Sequence, residues 1–316
     1  MKTTKSTNPF ALVLLSGLIV FAACKKDNAD SGSAHTTFKV TDAPIDDVSV
    51  TGAFVTIADI KLDGQSVQGF TKTTINVNAL QNGTTQSIGT FDLAGKTYNS
   101  ITFVLDYDMD ASGTAPGSYV VTTGGTKHKL QSTATSITVN KSITLQGSAS
   151  NSIVADFDLR KMIIAQSGGG SDKYDFATAA ELGTSIRVVA ENNTGTISGT
   201  VTDNVSASGK VVAYVYKKGT YNRTTEMQAQ GTSGVYFKNA VSSSVVNNAG
   251  AYQVHFLEND DYEVQFASYK DTNSDGIYEL SGTLVVTSAV NVNLLSLTLG
   301  ANATVTANAT VTAVLP

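Results

Sequence analysis

The run Asp271-Thr272-Asn273-Ser274-Asp275-Gly276-Ile277-Tyr278-Glu279 places oxygen donors at every second position, with a glycine sixth, between two strand-like stretches. A chain of this pattern can curl so that Asp271, Asn273, Asp275, the Ile277 carbonyl and Glu279 converge on one Ca2+, and the glycine permits the sharp turn. Gly282 stands at the twelfth place, where a helix-loop-helix calcium site carries Glu, so water must complete the shell. Asp, Asn and Gly also favour plain hairpin turns, and a polar hairpin stays open as the other reading. A second acidic series, Asp106, Asp108 and Asp110, alternates just after a strand. Projecting together it suits a secondary cation site or paired-carboxylate work on a sugar; as a solvated strand end it has no chemistry.

Other chemistries are poorly supplied. His35, His128 and His255 are isolated in sequence, there is no His-Glu-x-x-His run, and the single cysteine leaves no thiolate set for zinc. No Gly-x-Ser-x-Gly elbow is present, and Gly168-Gly169-Gly170 is followed by no Lys-Ser/Thr, so neither a serine triad nor a phosphate cradle is expected. Tyr214, Tyr216 and Tyr221 can form an aromatic platform in a chain without Trp, although half of them are expected in the core. A net charge of -5 leaves no basic surplus for phosphate backbones, which excludes nucleic acid as the expected partner.

The lone cysteine, Cys24, follows a basic start (Lys2, Lys5) and an apolar run from Phe10 to Ala23, which is the order of a secretory signal. That run is short of the roughly 20 apolar residues a spanning helix needs. Residues 1–23 are therefore expected to be removed and 24–35 to be a polar, flexible tether. Only 15% of residues are charged while Thr, Ser, Val, Asn and Gly abound, a composition of β-proteins. Between Phe38 and Val189 short apolar or alternating runs are separated by turn residues, and the pattern restarts at Gly195. The expected fold is all-β, with two β-sandwich domains, 36–192 and 195–316, after a cleaved signal peptide. In Ile153-Val154-Ala155-Asp156-Phe157-Asp158-Leu159 the odd positions enter a core and Asp156 and Asp158 point the other way. Arg160 to Gln166 is the one candidate helix, Ser167–Ser171 a long loop. The identical tandem Ala-Asn-Ala-Thr-Val-Thr at 301–306 and 307–312 suggests a last strand closing an edge, or a frayed tail.

Three resemblances can now be stated. Phe21-Ala22-Ala23-Cys24 resembles the bacterial lipobox, with Phe21 where Leu is usual. It implies lipid on Cys24, membrane contact through that lipid, and an outer-membrane location on the periplasmic or the exposed face. Phe38-Lys39-Val40-Thr41-Asp42-Ala43-Pro44, Val48-Ser49-Val50, Val55 to Leu62, Phe91-Asp92-Leu93, Tyr98-Asn99-Ser100-Ile101, Ala155-Asp156-Phe157-Asp158 and Ile186-Arg187-Val188-Val189 look like the family called domain of unknown function 4382. That family brings no established activity. Asp42, Pro44, Asp156 and Asp158 then stand either as a site or, for Asp42 and Pro44, as a turn in which Asp bonds its local backbone. Gly195 to Asp203, Gly209 to Tyr216, Gly250 to Phe256 and Asp261 to Phe266 resemble carboxypeptidase regulatory-like, transthyretin-like modules, which imply a spacer without catalysis.

The expectation is a lipid-anchored, non-enzymatic envelope module that binds a ligand or another envelope protein, or acts as a spacer. Glycan capture at the surface stands second, and a carboxylate-based glycoside hydrolase third.

Overall fold

Burial alternates along Ser33–Ala43, whereas Ser150–Asp158 is buried on both faces from Ile153 onward; each offers an apolar face, carried by Phe38 and Val40 in the first and by Ile153, Ala155 and Phe157 in the second. The computed structural model describes residues 1–3, 32–44, 50–165, 173–205, 209–272, 278–288 and 292–316. Cys24, the Ser167–Ser171 loop and positions 273–277 lie outside the described residues. Among the described residues no helix is long and apolar enough to cross a membrane, which says nothing of strands that could do so.

The chain is all-β, and its sheets divide near residue 194. In the first half a four-stranded sheet runs in the order Ile186–Ala190, Ser150–Asp158, Ser33–Ala43, Gln86–Ala94, with the two central strands parallel. Facing it, a second sheet runs Lys127–Lys129, Tyr119–Thr122, Val50–Leu62, Thr97–Leu105, Ser136–Thr144, with Gln65–Ser66 and Thr73–Asn76 also bonded to Val50–Leu62. Phe103 of one sheet meets Phe157 of the other edge-on at 5.5 Å, in a core that also holds Phe38, Val55 and Ile60. That is the packing of a sandwich. The candidate helix at 160–166 is only one turn, Leu159–Met162, after which Ile163–Ala165 pairs with Tyr174–Phe176.

Among the described residues of the second half nine strands share one sheet. The order is Ser242–Val245, Lys210–Lys217, Asp260–Lys270, Glu279–Ser288, Ala309–Leu315, Thr194–Asp203, Ala251–Glu258, with Leu297–Leu299 bonded to Asp260–Lys270 and Thr304–Thr306 to Thr194–Asp203. The last strand, built from the second copy of the tandem repeat, does not close an edge, whereas Thr304–Thr306 of the first copy pairs with Thr194–Asp203 alone. The two copies run in one register beside Thr194–Asp203, Ile197 opposite Val305 and Thr202 opposite Thr310, and Ala309–Leu315 lies between two strands. The approach is close: a Cβ on Gly199 would stand 2.2 Å from the Ala307 carbonyl oxygen, which also accepts from the Tyr252 hydroxyl at 2.6 Å. Glycine is required there because no side chain fits.

The hydrophobic clusters respect the same division. One contains buried residues from Ala34 to Val188, and two others draw on residues from Ile197 onward. Residues 31–316 nevertheless form one compact unit, joined across the division by polar side chains.

Candidate functional site

Asp156 and Asp158 do face away from the Phe157 core, as the alternation requires, but that face is not solvated. The second half covers it, leaving Asp156 4% and Asp158 5% exposed. Cross-strand pairing sets Asp156 opposite Arg187, whose Nη2 donates to the carboxylate at 2.6 Å and whose Nη1 donates to the Phe256 carbonyl. The helical turn after Asp158 brings Arg160 and Lys161 back to its Oδ2, at 2.9 and 3.2 Å. Both cations then reach across: Arg160 donates to the Tyr236 and Phe237 carbonyls at 2.6 and 3.0 Å, and Lys161 to the Ala240 carbonyl at 2.7 Å. Burial pushes the Lys161 ammonium down, with Asp158 opposing that shift. These are buried pairs whose worth lies in fixing one docking geometry.

Two further contacts frame this polar seam. Lys141 donates to both Glu258 oxygens at 2.7 and 2.8 Å. Glu181 caps its own short helix through Thr178 and accepts from the Ser233 backbone at 3.2 Å and from the Ser233 hydroxyl, with Lys238 at 3.5 Å. Burial works against the Glu181 charge, but the Ser233 and Thr178 hydrogen bonds outweigh it and hold the carboxyl at about 2.

Asp42 has no such partner. It is 7% exposed, and neither carboxyl oxygen has a hydrogen-bond donor, so it does not tie a turn in the way its neighbourhood to Pro44 suggests. Burial, followed by the charges of Asp156 and Asp158, pushes its carboxyl well above the usual carboxylate range.

At the same division a cavity of about 440 Å³ opens, lined by Arg160, Tyr174, Tyr236, Tyr269, Tyr278 and Glu279 among others. Tyr174 and Tyr269 are buried in its wall, and Tyr236 is 41% exposed at it. Its size lies in the range of small-ligand sites, and tyrosine rings with an arginine and a carboxylate suit a ligand having both apolar faces and hydroxyls. The platform expected from Tyr214, Tyr216 and Tyr221 is core instead: Tyr214 stacks on Phe237 at 4.2 Å and Tyr216 packs on Tyr221 at 5.1 Å. The four cavity tyrosines come from three separate stretches of the sequence, so spacing held no signal for them.

The structure takes up the other expected residues one at a time. Asp106 pairs with Lys72 at 2.7 Å, a hydrogen bond that holds its carboxyl below the ordinary value. Asp108 pairs with Lys129 at 2.8 Å, and Asp110 accepts from Ser112 and Thr114 within its own turn. Of the calcium-patterned run, Glu279 accepts from the Thr272 amide and hydroxyl, both at 3.0 Å, while Asn273, Asp275 and Ile277 lie outside the described residues. Among the described residues no three acidic, imidazole or thiol side chains are gathered to hold a metal ion.

The fold and this seam define an all-β protein of two sandwiches joined by buried ion pairs around an aromatic cavity. The family described as Domain of unknown function (DUF4382) matches residues 33–177, the first of the two sandwiches without its last strand. No curated protein matches the chain. Among solved structures, the Bacillus anthracis TIE protein is 10% identical over 88% of this chain and 34% of its own, with a TM-score of 0.19. This chain thus spans about a third of that protein. A putative cell adhesion protein from Bacteroides eggerthii is 11% identical over 90% of this chain and 88% of its own, TM-score 0.21. BcpA, the major pilin subunit of Bacillus cereus, is 9% identical over 88% and 70%, TM-score 0.20. Likeness of this size carries no argument about function.

Proposed function

We propose that this chain is a non-enzymatic module of the cell envelope, tethered to the outer membrane by lipid on Cys24 and presenting a ligand-binding cavity between two sandwiches. The observation that carries the binding role is the 440 Å³ cavity, walled by tyrosines from both halves. The anchor rests on the sequence: a solitary cysteine directly after a basic and apolar leader. The likeness of residues 195–290 to carboxypeptidase regulatory-like modules supports a second half that spaces and supports. A glycan is the ligand class favoured by rings that stack on sugar faces beside Arg160 and Glu279. Glycan arrays on the full chain test this. Binding that Tyr236→Ala reduces at least tenfold supports capture; silence across the array leaves the spacer role. Fractionation tests the anchor, since a Cys24→Ala protein that stays with membranes at the processed mass overturns it.

The Asp271–Glu279 run is proposed as a Ca2+ loop of modest affinity. Extracellular calcium modules have Kd of about 10⁻⁴ to 10⁻³ M. At ~1 mM Ca2+ a Kd of ~0.1 mM stabilises by roughly 1.4 kcal/mol. Melting should therefore rise by several degrees between EDTA and Ca2+, and by less in an Asp271→Ala/Asp275→Ala double variant. Equal melting points for the native chain reduce the loop to a polar hairpin.

A further inference from the structure

The parallel register between the two central strands of the first sheet sets Thr41 beside Asp156, Asp42 beside Phe157 and Ala43 beside Asp158. The buried carboxylates of Asp42 and Asp156 thereby come to line one cavity, with Asp158 beside Ala43, and the cations near Asp156 and Asp158 are already committed. Arg187 serves Asp156 Oδ2 and the Phe256 carbonyl; Arg160 and Lys161 serve Asp158 Oδ2 and the carbonyls of 236, 237 and 240. His255 is held between Thr196 and Gln253. Among the described residues no cationic side chain pairs with Asp42.

Asp158 Oδ1 has no hydrogen-bond partner, and neither do four oxygens at one cavity: both of Asp42, Oδ1 of Asp156 and Oγ of Ser243, a residue 5% exposed that comes from the other half of the chain. Asp42, Asp156 and Ser243 line this cavity of about 20 Å³, closed further by Thr41, Gln253 and His255. That volume holds one water-sized particle. Asp42 makes no direct hydrogen bond to Asp156, so a proton on one carboxyl does not bridge them without a particle between. The Leu159 N–H lies near enough to favour the Asp42 charge but outside hydrogen-bond geometry. Unpaired buried oxygens are costly, and a set made only of carboxylate and hydroxyl oxygen suits a hard cation.

We propose that this cavity binds a single hard cation, Na+ or Ca2+, ligated by Asp42, Asp156 Oδ1 and Ser243 Oγ, with water filling the remaining positions. The ion ties Asp42 and Asp156 of the first sandwich to Ser243 of the second, and so acts as a clamp between the halves. Two carboxylates, one of them already paired with Arg187, make a site of lower charge than a three-carboxylate calcium cage. Na+ is therefore a competent occupant beside Ca2+.

The experiment is thermal melting of the full chain, first stripped with EDTA into choline chloride and then returned to NaCl or to CaCl2 at equal ionic strength. The expected result is a rise of several degrees in Na+ or in Ca2+, with the two arms naming the ion. Measured in the Asp271→Ala/Asp275→Ala double variant, which removes the calcium-patterned loop, that rise should persist, vanish on addition of Asp42→Asn and shrink on addition of Ser243→Ala. In that background, identical melting in choline, sodium and calcium overturns the clamp, as does a rise that survives Asp42→Asn. The Asp42 carboxyl is then a neutral acid with water in the cavity. Should Asp42→Asn not fold, Ser243→Ala, which removes one hydroxyl, decides the matter: an undiminished rise overturns the site.

Discussion

Arg160 concentrates the energetics of the seam in one side chain. It is 4% exposed at the side chain, pairs with Asp158, donates to two carbonyls of the other half and lies over the Tyr214 ring at 5.3 Å. Truncation leaves a buried carboxylate with only Lys161 to answer it, and two carbonyls without that donor. Breaking a buried pair in this way costs about 3–5 kcal/mol. Arg160→Ala should lower the denaturant midpoint accordingly, and an unchanged midpoint would show the seam to be solvated. Arg160 itself follows the Asp-Phe-Asp segment by two residues, so the sequence displayed the segment, but not that its acids would be buried. Alternation assigns a residue to a face; it cannot tell whether another part of the chain will cover that face.

At the scale of the strand, the close pass between Thr194–Asp203 and the tandem repeat depends on missing side chains. A methyl at Gly199 meets backbone atoms of Ala307 at 2.2 and 2.7 Å and the Tyr252 ring at 3.0 Å. Backbone cannot step aside as a flexible side chain would, and overpacking of this kind costs typically 1–3 kcal/mol. Gly199→Ala should therefore lose about 2 kcal/mol in equilibrium unfolding, while Gly219→Ala, with no atom within 4 Å, adds no clash and feels only its positive φ of 77°. A Gly199→Ala protein as stable as the parent would mean that the repeat sits looser than this register. The repeat was legible as a strand from its period of two. The interior position of its second copy was not, because small and β-branched residues suit an edge and a centre equally well.

For the whole molecule, the clusters on either side of residue 194 share no buried apolar residue, and the contacts named across the division are carried by Arg, Lys, Glu and Ser. Each half thus has its own apolar driving force, and polar seams of this sort resemble interfaces between separable domains. Residues 36–192 and 195–316 should each express alone and unfold cooperatively, at midpoints below that of the joined chain because Arg160, Lys161 and Arg187 lose their carbonyl acceptors. Loss of cooperativity in both halves, with the parent intact, would argue for one continuous folding unit. The all-β class and the strand positions around Tyr119–Thr122 and Ile186–Ala190 were determined by the sequence, since side-chain alternation and turn residues act locally. Partner choice was not: the burial of Asp42, Asp156 and Asp158, the gathering of Tyr174, Tyr236, Tyr269 and Tyr278 around one cavity, and the capture of Tyr214 and Tyr216 by the core depend on segments tens of residues apart meeting. Only tertiary packing decides which face meets water and which meets the other half of the chain.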